Sequence, residues 1–242
     1  RGQAHVPWLS CGSVRFQWDG TKLGTPVASG PPYALSWLSA TASNGLHTLV
    51  AVATDDLSQT TSSAPDIVTA SNQLTTSAGF VKNDATTKGT WKGHYGGDGQ
   101  IIALDANNLP AYAGATCQGA QLFQWAVTGD QRALQEANSA TLRTASAYYA
   151  SPGFSVDLNL TDGNAHQVAL YFMDWDGGGR AETVTILEAA TQTLLDTPRQ
   201  VSNFSGGQYL VWNLKGHVTI QFTMNSGPNA LLNGVFLDPA AP

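Results

Sequence analysis

The sequence predicts an all-β protein: a small sandwich over residues 1–71, a linker at 72–77, and a larger, jelly-roll type β-sandwich over 78–242. Three observations carry this. Only 12% of the 242 residues are charged, about half the usual share. The 25 glycines, with abundant Thr, Val and aromatic residues, suit many short strands joined by tight turns. Short runs alternating with period two recur along the chain, each closed by Gly, Asn or Asp.

Taken in order, Val14-Arg15-Phe16-Gln17-Trp18 alternates and ends at Asp19-Gly20, a dipeptide that favours a tight turn. Tyr33 to Trp37 reads as a strand after the loop Ser29-Gly30-Pro31-Pro32. Asn44-Gly45 turns into the strand His47 to Thr54, and Ala64 to Ala70 closes the set. Such even spacing indicates a small sandwich. Ser71 to Ser77 is polar and linker-like. The second region offers strands at 154–160, 166–172, 182–187, 209–214, 218–223 and 230–237. Residues 131–146 fit a helical turn or a short strand equally well. Six or more antiparallel strands in this length imply a jelly roll or related sandwich.

The pattern Asp19-Gly20-Thr21-x-Leu23-Gly24, then Pro32-Tyr33-x-x-Ser36-Trp37, then Asn44-Gly45-x-His47-Thr48-Leu49 resembles the bacterial immunoglobulin-like repeat of surface and secreted proteins. The resemblance spans residues 14–71 and implies a spacer without an active site. Arg1 to Gly12, with Pro7 and Trp8, departs from the family's opening strands. This copy is therefore expected to be truncated or to have its first strands replaced.

The formal net charge is −6 and the pI about 5.1. Eleven Lys and Arg residues spread along the chain do not form the basic surface that nucleic acid or anionic lipid requires. No apolar run approaches the ~20 residues of a membrane helix, so membrane insertion is not expected. The chain begins at Arg1 without a signal-like run, which suits a mature protein or an excised piece. Cys11 and Cys117 lie in different predicted domains and are expected to be two free, buried thiols. No C-x-x-C pair is present to hold a metal.

No strained G-x-S-x-G elbow and no H-E-x-x-H helix occurs. Asp174 and Asp176, with Asp98 and Glu182 in reserve, are the carboxylates that glycoside hydrolysis would need. Arg180 follows closely and can neutralise one of them, so Asp174 to Arg180 reads as a strand end, a turn and a salt bridge. No catalytic residue is expected. A structural calcium is the one cofactor considered, with Asp162, Asp174 and Asp176 as loop carboxylates, though no D-x-[DN]-x-[DN]-G loop exists.

Aromatic residues are the more promising feature. An exposed Trp or Tyr offers an apolar face to a sugar ring, and neighbouring Asp, Asn or Arg can fix the hydroxyls. Trp91, Tyr95, Trp125 and Trp175 are the expected stacking platforms, with Asp98, Asp174 and Arg180 as hydrogen-bonding partners. Core packing is the competing role for each Trp, and it is the expected one for Trp212. One of Tyr148 and Tyr149 should face solvent.

Asp84-x-x-Thr87-x-Gly89-x-Trp91-x-Gly93-x-Tyr95-Gly96-x-Asp98-Gly99, the run Val156 to Tyr171, Asp174-Trp175-Asp176 with Arg180, and Phe204-x-x-Gly207-x-Tyr209-Leu210-x-Trp212 resemble a β-sandwich of large secreted bacterial proteins. Domains of this kind are similar to carbohydrate-binding modules and malectin-like sandwiches. The resemblance covers residues 80–239 and implies a secreted, non-catalytic module. Its partners would be a polysaccharide or oligosaccharide and a tethered catalytic domain. The alternative is a structural or adhesion module of a bacterial surface protein with no sugar ligand.

Overall fold

A computed structural model describes residues 11–39, 42–71 and 75–240. The chain divides into two compact units, Arg1–Gln73 and Leu74–Pro242. The fold is all-β, with antiparallel sheets forming a β-sandwich. Residues 1–10, and 72–74 of the expected linker, lie outside the described residues; Ser77 already opens a strand.

In the first unit, β1 (Cys11–Trp18), β2 (Thr21–Val27), β3 (Gly45–Asp55), β4 (Thr60–Ser62) and β5 (Asp66–Ala70) form one five-stranded sheet. The segment Tyr33–Trp37, expected as a strand, is instead a loop that lies on the sheet. Its Leu35 and Trp37 line an apolar groove with Phe16, Trp18, Leu49 and Val68. Trp37 meets Trp18 at 4.5 Å between ring centres. Leu35 is half-buried there, and Trp37 remains 36% exposed. Cys11 is free, as expected, but exposed rather than buried. Cys117 is free and half-buried, and that burial pushes its thiol pKa up to about 11.

The second unit begins with β6 (Ser77–Asp84), β7 (Gly99–Ile102), β8 (Ala106–Asn108), β9 (Ala113–Gln118), β10 (Gln121–Thr128), β11 (Leu134–Gln135) and β12 (Arg143–Ala150). It continues with β13 (Gly153–Leu160), β14 (Ala165–Phe172), β15 (Ala181–Glu188), β16 (Arg199–Ser202), β17 (Gln208–Lys215), β18 (His217–Ser226), β19 (Ala230–Leu232) and β20 (Gly234–Pro239). The ambiguous stretch 131–146 thus holds a two-residue strand and the start of β12.

A five-stranded sheet, β16-β15-β18-β13-β9, packs on a six-stranded sheet, β6-β17-β14-β20-β7-β8. β13 alternates strictly between buried and half-buried positions, as expected of a strand with one face on the core. Its Phe154, Val156, Leu158 and Leu160 meet Val168, Leu170, Phe172, Leu210, Trp212 and Leu214 in the main core. Trp212 is a core residue, as its strand context indicates.

The central strands of the six-stranded sheet do not alternate. Val168 to Phe172, Tyr209 to Trp212 and Gly234 to Leu237 are buried at every position. A second apolar cluster explains why: Ala169, Tyr171, Tyr209, Val211 and Phe236, on the far face, are covered by Trp91, Tyr95, Ala133, Leu134 and Ala145. The molecule therefore has a third layer made from segments 85–98 and 131–146. A strand buried on both faces reads as a continuous apolar run, and that run is present in the sequence. The small sheet β10-β12-β11, with β19 paired to β12, leaves β10 at its edge.

Candidate functional site

The third layer corrects part of the sequence reading. Trp91 is 6% exposed and Tyr95 4%, so neither ring stands in solvent as a platform. Trp91 lies 5.2 Å from Phe236 and donates from Nε1 to the Gln135 carbonyl at 2.7 Å. Tyr95 packs 4.5 Å from Tyr209 and donates its hydroxyl to Asp84 at 2.8 Å. The glycines around them serve close approach: at Gly96, with φ +75°, a side chain would press on Trp91 and Phe236. Asp98 is taken by Tyr112, whose hydroxyl donates to it at 2.7 Å. Tyr112 stacks at 3.9 Å on His166, which bonds Asp162.

The remaining predicted residues do converge. Trp125 sits where the β10–β12 register shifts between Gln124 and Ala126, and such a bulge re-aims a side chain. Its indole N–H donates to Asp176 at 3.3 Å, and the Arg180 guanidinium stands 5.7 Å from its ring centre. Arg180 is buried and pairs with both Asp174 and Asp176, and its Nε donates to Asn229 at 2.9 Å. Asp174 also accepts from the backbone N–H groups of Gly178 and Arg180. The bond from Arg180 holds the Asp176 carboxyl below its ordinary pKa. Burial works against the Arg180 charge, and the bonds to Asp176 and Asp174 overcome it, so its pKa stands above the ordinary value. Gly227, with φ +83°, lets its loop lie directly against the Arg180 backbone. Trp175 is half-buried, with one face 4.7 Å from the Arg132 guanidinium. Arg132 is in turn held by Asp130 at 2.9 Å.

Two rings that sequence reasoning did not assign complete the surface. Phe123, 47% exposed, meets Trp125 edge-on at 5.2 Å and Tyr149 at 6.5 Å. Tyr149 donates its hydroxyl to Gln121 at 2.8 Å. Tyr148 and Tyr149 are both half-buried, rather than one exposed. Phe123 and Tyr149 come from antiparallel neighbours whose pairing joins Gln121 to Tyr149 and Phe123 to Ala147. The available signal was the parity of Gln121, Phe123 and the aromatic position after it on one strand. The result is an aromatic patch on β10 and β12, rimmed by Gln121 and Asp176, with the buried Arg180 beside Trp125.

The calcium reading does not fit. Arg180 is already paired with both Asp174 and Asp176, while Asp162 is held by Asn164 and His166, which draw its pKa down to about 2. Among the described residues, no group of three or more His, Cys, Asp or Glu could hold a metal ion.

No family model matches the sequence, and no curated protein matches it. Solved structures give weak likenesses. One is the Bacteroides uniformis beta-glucuronidase 2 at 15% identity and TM-score 0.34, covering 95% of this chain and 26% of that one. A family 35 carbohydrate binding module from Clostridium thermocellum is 10% identical at TM-score 0.33, covering 58% of this chain and 98% of the module. The CBM51-2 and INT domains of Clostridium perfringens ZmpB, in complex with GlcNAc, are 13% identical at TM-score 0.30, over 81% of this chain and 38% of theirs. The chain thus spans about a quarter of the length of the glucuronidase.

Proposed function

We propose that the C-terminal unit is a non-catalytic carbohydrate-binding module, and that the N-terminal unit is an immunoglobulin-like spacer. The observation that carries this is the patch of Phe123, Trp125 and Tyr149, accessible rings with a polar rim. Such rings cover the apolar faces of sugars, and the rim directs hydroxyls. The carboxylates that hydrolysis would need are committed to Arg180, which favours adsorption over bond cleavage. In this reading the ligand is a plant cell-wall polysaccharide such as β-glucan, cellulose or xylan. The module belongs to a secreted bacterial protein and holds a tethered catalytic domain at high effective concentration on its substrate.

Depletion from solution by insoluble cellulose, xylan, β-glucan and mannan tests the proposal. Trp125→Ala and Phe123→Ala should each weaken retention about tenfold or more, and Phe123→Ala is the cleaner test, because Phe123 is exposed while Trp125 also packs against the core. Retention unchanged in both variants would remove this site. A second reading has its own observation: β10 is an edge strand carrying exposed Leu122 and Val127. Unpaired edges with apolar side chains also suit a protein partner, as an adhesion module would need.

A further inference from the structure

The five-stranded sheet turns a second surface to solvent, away from the aromatic patch's own strands. We infer that a groove across β9, β13 and β18 is a second saccharide subsite, one that works by hydrogen bonding alone. The groove is a concavity of about 510 Å³ whose polar lining is Gln118, Ser155, Gln221 and Thr223. Register sets these side chains in line: Ser155 is paired with Gln118 on one side and with Gln221 on the other. Two strand spacings separate the two glutamines, ~10 Å, a span that several ring hydroxyls would bridge.

The depth of the groove has a specific origin. Gly153 is paired with Thr223, and a Cβ there would overlap the Phe222 carbonyl oxygen. The position cannot carry a side chain, so a gap stays open beside Gly119 and Pro152. Beneath it, Phe154 and Phe222 stack at 4.7 Å and give a rigid floor.

The lining also defines the ligand class. Each amide offers donors and an acceptor, and each hydroxyl both. Among the described residues, none of these four side chains is hydrogen-bonded within the protein. No charged residue lines the groove, which disfavours phosphate, carboxylate and cationic ligands. A neutral, hydroxyl-rich chain satisfies the row, and the two rings of the floor, Phe154 and Phe222, are buried and offer no exposed face for stacking. Such a site would be weak by itself and would act by adding a second foothold to a long polymer. The ligand's chemistry rests on the glycan reading above; the location does not.

The test uses the full chain labelled with ¹⁵N and titrated with cellohexaose, xylohexaose and mannohexaose, following the side-chain amides of Gln118 and Gln221. Both should shift with at least one hexaose, and should still shift in Trp125→Ala. The double variant Gln118→Ala/Gln221→Ala should lose about tenfold or more of the retention on insoluble polysaccharide while the β10 resonances still respond. Shifts confined to β10 and β12, or full retention by the double variant, would overturn the subsite alone. Shifts at the glutamines with β10 silent would support the subsite and overturn the aromatic patch. No shift anywhere would overturn both.

Discussion

Trp91 and Tyr95 on one side, and Phe123 and Trp125 on the other, are aromatic pairs set among polar neighbours, and sequence gives little to separate them. The structure separates them by degree: Trp91 and Tyr95 are buried, Phe123 is exposed, and the half-buried Trp125 touches the cluster that holds the first pair. The first pair roofs the far face of the six-stranded sheet, and the second stands at the edge of a small sheet with rings partly in water. The difference lies in what stands behind each pair. Trp91 and Tyr95 face Phe236 and Tyr209, side chains on a sheet whose strands are buried on both faces. Phe123 is paired with Ala147, itself fully buried, yet its own ring is 47% exposed on the edge strand. An aromatic residue's role is therefore set by whether a further layer covers its ring more than by its own neighbourhood.

The strongest way to break this comparison is Trp91→Ala. Removing a buried indole that also donates to Gln135 should cost about 3–5 kcal/mol, read as a fall in the denaturation midpoint. If stability barely changed, the third layer would not be part of the core.

The next largest effect concerns the ground beneath the patch. Glu182, 0% exposed, points inward from β15; one carboxylate oxygen accepts from the Leu231 N–H and the other has no partner among the described residues. Leu231 is itself paired with Tyr149. Burial pushes the Glu182 pKa up to about 8. Between roughly pH 4.5 and 8 the folded chain keeps this proton while the unfolded chain has lost it. Stability should fall as pH rises through that window and level off above it. Glu182→Gln keeps an acceptor for Leu231 and removes the slope, so it should be several kcal/mol more stable than the parent near pH 9. Parallel stability–pH curves for the two proteins would show that Glu182 is already ionised in the fold.

These contrasts also mark what sequence could reach. Alternation in Phe154 to Leu160 and Glu182 to Leu187 gave core strands directly, because one face of each is apolar. The Asp174–Asp176–Arg180 cluster was legible because its members lie within seven residues of chain. Segment 85–98 was misread, because a layer that covers a sheet from outside needs no periodicity of its own. Its trace lay elsewhere, in the unbroken apolar runs of β14, β17 and β20. Phe123 was missed, and the choice between Tyr148 and Tyr149 left open, for another reason: Phe123 and Tyr149 meet only through the pairing of β10 with β12, and single strands do not announce their partners.

A smaller effect is expected at Tyr95→Phe, which removes one donor from Asp84 and keeps the ring. Asp84 still accepts from Thr86 and Thr87, so the loss should be about 1 kcal/mol. A loss as large as that of Trp91→Ala would mean that the hydroxyl, rather than the ring, anchors this segment.

Phe123→Ala should be the mildest change of all. Nearly half its surface is already in solvent, and its ring contacts are edge-on to Trp125 and Tyr149. Stability should change by less than ~1 kcal/mol, while binding to polysaccharide falls. That opposition is the signature of a ring kept for a ligand: costly to remove from the complex and cheap to remove from the fold. A stability loss approaching that of Trp91→Ala would place Phe123 in the core with the first pair and dissolve the distinction between the two regions.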